Sequence, residues 1–383
     1  MKPYFIVGEA SGDLHASNLA KQLKALDPNF ASRGWGGDLM TEAGVDIVKH
    51  YRDLAFMGFV EVLMNIRTIK KNFKLVKEDI LAFKPDVLIL VDYPGFNLRI
   101  AEWAHEHKIP VFYYISPQVW AWKKGRVHKI KRFVDQMYVI LPFEAAFYSQ
   151  YNYPVHYVGH PLLDVIREEK HDETALRSAK QAFIKAHQLD ERPIVALLPG
   201  SRKQEIKSML ATMLEVAKEF PSYQFVIAGA PAQEPAFYES LIPQDAKHIK
   251  LVFGATYDLF RNAEAGLVTS GTATLEAGLF QLPQAVCYKG SAISYHIAKR
   301  IVNIKYISLV NLILDKEAVK ELIQSDFNKE KVAQELKALL NDAARKDKMN
   351  ADYKALHKVL GGSGASQRTA SLMLETWNSM NRK

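Results

Sequence analysis

The chain has 383 residues, 48% of them hydrophobic and 24% charged, and a formal charge of +8 from 50 Lys and Arg against 42 Asp and Glu. That length supplies core for two domains, and the single cysteine, Cys287, excludes a disulfide framework and a cysteine-rich zinc site and fits a reducing compartment. The basic excess points to anionic partners such as phosphorylated substrates or anionic lipid, no run of about 18 apolar residues predicts a membrane span, and Tyr4–Val7 is too short for an export signal.

In chain order, short apolar runs alternate with longer helical patterns, the signature of βαβ units and parallel sheets. The predicted strands of the first half are Tyr4–Val7, Asp86–Val91, Val111–Ile115 and Met137–Leu141. Those of the second half are Ile194–Leu198, Gln224–Ala228, Ile249–Phe253, Ala265–Thr269 and Gln284–Tyr288. Phe59, Val62, Ile66, Ile69, Phe73, Val76, Ile80 and Phe83 recur at spacings of three and four, which predicts one long amphipathic helix packed on the first sheet. Residues 164–192 are charged and helical in character and separate the halves. The expected architecture is α/β of the GT-B kind: two doubly wound, Rossmann-like domains facing a central cleft, with ligands beyond the carboxyl ends of the strands. The predicted domains are 1–165 and 190–365, with a C-terminal helix in 366–383 that can cross back onto the first.

The turns after the strands carry the chemistry. Gly8-Glu9-Ala10-Ser11-Gly12-Asp13 follows the first strand and has neither the dinucleotide G-x-G-x-x-G spacing nor that of a Walker A loop, so the first domain is expected to take a substrate other than the nucleotide. Glu9, Ser11 and Asp13 place polar groups there. Asp92-Tyr93-Pro94-Gly95-Phe96-Asn97 ends the next central run, and Asp92 can accept a proton from an attacking hydroxyl or orient it. An ordinary Asp, with a pKa of about 3.9, is a poor base near neutrality, so burial would have to raise it. The alternative is a plain Asx turn before Pro94.

Residues 120–132 hold Trp120, Trp122, Lys123, Lys124 and Arg126 with no acidic residue, which suits a membrane interface or a phosphorylated lipid; the plainer reading is a helix with a solvated basic face. His160, in Gly159-His160-Pro161, is either a phosphate or acid–base group or a structural hydrogen-bonder. None of the 12 histidines shows metal-ligand spacing, so no metal is expected.

In the second half, Gly200, Ser201 and Arg202 follow a buried-looking run and open a helix: Gly200 for close backbone approach, Ser201 as a cap, Arg202 as a forked cation for a diphosphate. Ser270, Gly271 and Thr272 form a second such turn, where unpaired N–H groups and a helix dipole favour an anion. Glu276, one turn further on, is placed to accept hydrogen bonds from ribose hydroxyls. Two such turns in one half favour a diphosphate nucleotide.

Taken in order, these turns, together with residues 57–63 and 116–122, Leu141-Pro142-Phe143-Glu144, Gly159 to Leu162 and Ser308-Leu309-Val310-Asn311-Leu312, resemble the lipid-A-disaccharide synthase family of inverting GT-B glycosyltransferases. The resemblance runs from near residue 4 to about residue 325. It implies joining UDP-2,3-diacylglucosamine to 2,3-diacylglucosamine 1-phosphate in a β-1,6 linkage with release of UDP, for lipopolysaccharide biosynthesis. It implies Asp92 as candidate base, Arg202 as a diphosphate contact and Asn311 as a further UDP-site residue. It also implies no metal or other cofactor, a peripheral position on the cytoplasmic face of the inner membrane, and a homodimer. Met57, Phe59 and Glu61, with the Trp120–Arg126 segment, Ser11 and His160, become candidates for acceptor or membrane contact. Two departures stand out: Gly95 replaces an Asp common in the family, and Val310 replaces a proline beside Asn311. The rival readings are a related enzyme on a soluble UDP-sugar, epimerase-like, and a non-catalytic nucleotide-sugar binder.

Overall fold

The computed structural model describes residues 1–54, 66–121, 124–166, 173–290 and 305–381. The chain forms two compact units, Met1–Val165 with Gly361–Lys383, and Ile166–Leu360.

The first unit is built on β1 (Pro3–Val7), β2 (Arg33–Gly36), β3 (Asp46–His50), β4 (Val87–Val91), β5 (Val111–Tyr114), β6 (Gln136–Val139) and β7 (His156–Tyr157). They pair in the order β3-β2-β1-β4-β5-β6-β7, every pair parallel. β1 and β4 lie at the centre with every residue buried, which is why both read as unbroken apolar runs. The pattern missed β2, β3 and β7. β2 is Arg-Gly-Trp-Gly, β3 is a half-exposed edge of mixed polarity, and β7 has two residues. The expected strand at 111–115 stops at Tyr114, because Ile115 adopts a φ of 64°.

The predicted amphipathic helix is present as Ile66–Phe83; Val76 and Ile80 are buried in the core, and Phe73 and Phe83 pack against it. The start of that stripe, Phe59 and Val62, lies outside the described residues. The last helix, Ala365–Asn381, packs on the helix Ala10–Leu26. The Asp164 carboxylate accepts from the N–H groups of Gly364, Ala365 (3.1 Å) and Ser366 (2.7 Å), and so holds that helix by its N-terminus. Arg368 adds a bond from Nε to the Val158 carbonyl at 3.0 Å.

The second unit carries β8 (Ile194–Leu198), β9 (Gln224–Gly229), β10 (Ile249–Phe253), β11 (Ala263–Thr269), β12 (Gln284–Tyr288) and β13 (Lys320–Ile323). Their order is β10-β9-β8-β11-β12-β13, again all parallel. Each predicted run became a strand; β13, the four-residue edge Lys-Glu-Leu-Ile, was missed because its alternation is too short to read. In both sheets the first strand of the unit sits beside the fourth, and the connections run away from that seam on either side. This is the switch point at which open α/β sheets bind ligands.

Candidate active site

In the first unit the seam lies between β1 and β4, paired in register through Val7 and Val91. The turn after β1 begins at Gly8. A Cβ there would fall 2.4 Å from the Tyr93 ring, so only glycine lets the two turns pack. After β4, Asp92 (φ 44°) and Tyr93 (φ 48°) are successive left-handed residues, each costing about 1–3 kcal/mol of strain. Buried partners hold the turn: the Asp92 carbonyl accepts from Asn97 Nδ2 at 2.8 Å and from the Tyr113 hydroxyl, and the Asp92 N–H donates to Tyr114 O at 3.2 Å. Asn97 is fully buried. It stands inside the quoted Asp92–Asn97 motif, yet its role was not legible, because the carbonyl it serves exists as a target only once the strained turn forms.

The consequence is chemical. Burial first, and the neighbouring Glu9 carboxylate second, push the Asp92 carboxyl up to about 7. Asp92 is thus a carboxylate with a base strength suited to neutral pH. Glu9 is partly exposed and precedes the helix Ala10–Leu26 in an extended conformation, without capping it through its side chain. Ser11 is partly exposed in the first turn of that helix. Gly95 is exposed, with open space where a side chain would project.

Three candidates of this unit, Asp13, His160 and Trp120, are buried. Asp13 is not an available acid–base group: it is 2% exposed, and its carboxylate accepts from the N–H groups of Gly37 (2.7 Å), Leu39 (3.2 Å) and Met40 (3.3 Å) at the start of the short helix Asp38–Glu42. Burial raises its pKa while those three donors oppose the rise. His160 is 1% exposed, accepts from the Leu162 N–H at Nδ1 (3.3 Å), and meets His15 edge to face; burial lowers it to about 3, so it is a neutral structural group. Trp120 is buried, edge to face with Phe143 at 4.9 Å, rather than presented at a surface. The basic segment does form a helix, Arg126–Phe133, with Val127, Ile130 and Phe133 buried and His128, Lys129, Lys131 and Arg132 exposed. Lys124 is exposed just before it and Arg126 is partly exposed. Met57, Phe59, Glu61, Trp122 and Lys123 lie outside the described residues.

In the second unit the seam lies between β8 and β11, paired through Leu198 and Val268. Gly200 follows β8 with a φ of 113°, and a Cβ on it would meet the Glu205 carboxylate at 2.4 Å. Arg202, not Ser201, is the N-cap residue of the helix Lys203–Ala217, and it makes no side-chain cap bond. The Ser201 N–H instead donates to Glu205 Oε2 at 3.1 Å. Ser201 and Arg202 are exposed, and Glu205 occupies one of the donors a phosphate would use.

After β11, Gly271 (φ 141°) precedes the helix Thr272–Leu279 and, among the described residues, has open space over its Cα. The Ser270 N–H is engaged by the Cys287 carbonyl (3.2 Å), which leaves Gly271 and Thr272 as the turn's candidate donors. Glu276 lies in the second turn of the helix, partly exposed; burial pushes it up to about 7, against the Tyr257 hydroxyl 3.4 Å away.

Asn311 differs from expectation. It is fully buried, and its amide is saturated: Nδ2 donates to Val319 O (2.8 Å) and Glu321 Oε1 (2.9 Å), and Oδ1 accepts from Ala318 N (2.8 Å) and Val319 N (3.0 Å). Its side chain builds the loop rather than facing a ligand. Val310, in place of the family proline, is buried beside Gly278 in the helix Leu309–Leu314. Glu321, which collects these bonds, was not singled out in the sequence.

Among the described residues no group of three or more His, Cys, Asp or Glu could hold a metal ion, and no helix is long and apolar enough to cross a membrane.

Comparison with known proteins identifies the family and the fold. The lipid-A-disaccharide synthetase family matches residues 4–375. The lipid-A-disaccharide synthase of Geobacter sulfurreducens is 37% identical over 375 residues, covering 97% of this chain and 96% of the relative. That of Syntrophus aciditrophicus is 39% identical over 374 residues, covering 96% of each. Among solved structures, the UDP-GlcNAc 2-epimerase of Neisseria meningitidis bound to UDP-GlcNAc superposes with a TM-score of 0.68 at 15% identity, covering 98% of this chain and 100% of that one. The Methanocaldococcus jannaschii UDP-GlcNAc 2-epimerase in complex with UDP-GlcNAc and UDP gives 0.64 at 14%, with the same coverage. These last two likenesses establish the GT-B fold. The chain belongs to the lipid-A-disaccharide synthase family, and it is a glycosyltransferase of lipid A disaccharide synthesis.

Proposed function

We propose that the enzyme condenses UDP-2,3-diacylglucosamine with 2,3-diacylglucosamine 1-phosphate, forming the β-1,6-linked disaccharide 1-phosphate and UDP, with Asp92 as the base. The observation that carries this is the Asp92 carboxyl, held in a strained turn at the seam of the first sheet and raised to about 7. The acceptor 6-hydroxyl loses its proton to Asp92 as its oxygen attacks the anomeric carbon from the face opposite UDP; the C–O bond to the diphosphate breaks and the configuration inverts. Glu9, close enough to raise Asp92, keeps it basic. In the second unit, Arg202 and the N–H groups of Gly271 and Thr272 take the charge growing on the departing diphosphate, and Glu276 receives the ribose hydroxyls. On this reading no metal or other cofactor takes part.

The same reading places the enzyme on the cytoplasmic face of the inner membrane, as a peripheral protein and a homodimer. The exposed cations of the helix Arg126–Phe133, with Lys124 before it, support an electrostatic contact with anionic lipid. Lys129 also pairs with Glu102 at 3.1 Å, which reduces its share.

The test is UDP release from the donor with and without acceptor, in detergent micelles with EDTA. Acceptor-dependent release with disaccharide is the expected result. UDP binding without release would overturn the reading. Co-sedimentation with vesicles containing anionic lipid checks the membrane contact, and analytical ultracentrifugation checks the dimer.

A further inference from the structure

Glu321, on edge strand β13, anchors a hydrogen-bond path that ends at the Ser270–Thr272 turn. Its carboxylate accepts from the Ile307 N–H (3.0 and 3.1 Å to its two oxygens), from the Ser308 N–H (2.9 Å) and from Asn311 Nδ2 (2.9 Å). The backbone so gripped meets the turn twice. The Ser270 hydroxyl donates to the Ile307 carbonyl at 3.0 Å, and the Leu309 N–H donates to Thr274 Oγ1 at 3.3 Å. Thr274 Oγ1 donates in turn to the carbonyl of Gly271 at 2.8 Å. Ser308 completes the clasp by capping the helix Leu309–Leu314, its Oγ accepting from the Asn311 N–H at 3.2 Å. Ser308, Asn311 and Thr274 are all fully buried.

Gly271 itself has no side chain and, among the described residues, no neighbour within 4 Å of where a Cβ would sit. Among the described residues nothing on its open side holds it, and the direction of its N–H depends on the contacts beneath. A single carboxylate accepting several N–H groups is a strong fixture, because hydrogen bonds to a charged acceptor are about twice as strong as neutral ones.

We propose that Glu321 is a positioning residue for the donor diphosphate: it fixes residues 307–309 against Ser270 and Thr274, and thereby aims the Gly271 and Thr272 N–H groups. This rests on reading that turn as the diphosphate site. Asn311 shares the role, spending its amide on the Ala318–Val319 backbone and Glu321 rather than on UDP.

The test compares UDP with uridine, which lacks the diphosphate, by calorimetry or ligand-observed NMR on the full-length enzyme. E321Q replaces one acceptor oxygen with an N–H₂ facing backbone donors. It should weaken UDP about tenfold, the loss of roughly one charge-assisted bond, and leave uridine within about twofold. E321D, which keeps the charge, should recover part of the difference. S270A cuts the path from the turn's side without touching the Glu321 clasp, and should show the same split, with E321Q adding less in its background than alone.

Unchanged UDP affinity in E321Q would overturn the proposal, as would equal losses of UDP and uridine with a lower melting temperature. Should E321Q fail to fold, S270A decides: a split supports the proposal and its absence overturns it. Gly271→Val separates this from the underlying reading. If G271V leaves UDP binding intact, the turn is not the diphosphate site; if G271V weakens UDP and E321Q does not, only the role of Glu321 falls.

Discussion

The two units share one strand plan and differ in what they place at the seam. In the first, the turns after β1 and β4 present Glu9 and Asp92, two carboxylates close enough for one to raise the other. In the second, the turns after β8 and β11 present Arg202 and the glycine-opened N-termini of two helices. The same backbone geometry thus serves opposite chemistries. A parallel sheet delivers a helix N-terminus to each turn, which favours anions by default, and side chains must override that default to make a base. On the proposed reading the first unit does so with a strained turn and a crowded pair of acids, and the second leaves the default intact and adds a cation.

The largest effect should come from removing the proposed base. D92N should lower kcat by about 10²–10⁴ and leave UDP binding unchanged, as steady-state rates and calorimetry would show; a vigorous D92N enzyme would remove Asp92 from the chemistry. R202A strikes the other seam. It should cost about 3 kcal/mol of barrier, roughly a hundredfold in kcat/KM for the donor, with the acceptor KM unaltered.

The pH profile sharpens the contrast, because Asp92, as the proposed base, must be deprotonated to act. kcat/KM should rise about tenfold per unit below pH 7 and level above it, and this limb should vanish in the residual activity of D92N. Stability follows the same raised value with the opposite sense. A carboxyl whose folded pKa lies above its unfolded one contributes stability below about 3.9 and loses it as pH climbs through about 7. D92N should therefore melt higher than the parent at pH 8 and show little gain at pH 4.

Asp13 tests whether every acid near the first seam belongs to the chemistry. D13A should lose about 1–2 kcal/mol of stability, read by denaturant titration, while the folded fraction turns over normally. The smallest change is expected at Glu205, which holds the Ser201 N–H in the second unit. E205Q should tighten UDP a few-fold by weakening that competitor, measurable by titration calorimetry.

Legibility tracked how local each signal was. The central strands could be read because they are buried on both faces, and Gly200 and Gly271 because tight turns after strands ask for glycine. Asp13 and Asp92 looked alike in sequence, each a carboxylate a few residues beyond a strand. They parted because Gly37, 24 residues from Asp13, brings a helix N-terminus to it, while Asp92 stands beside the Glu9 carboxylate in a strained turn. Trp120, a candidate contact, packs inward, and His160 takes the structural one of its two readings, since a histidine or tryptophan in such a motif carries no mark of which side its neighbours will close.

By itself, then, the sequence determined the alternation of apolar runs and helices, the turn chemistry at the strand ends, and the ordered motifs of the lipid-A-disaccharide synthase family. These are short-range patterns, set by backbone preference and hydrophobic period. Assembly of the sheets decided which carboxylate stands beside Glu9 at the seam and which is spent on a helix, that Asn97 pins the strained turn, and that the Asn311 amide closes on the Ala318–Val319 backbone and Glu321. Each of those depends on burial and on partners distant in the chain, and desolvation and long-range hydrogen bonds arise only when the sheets assemble.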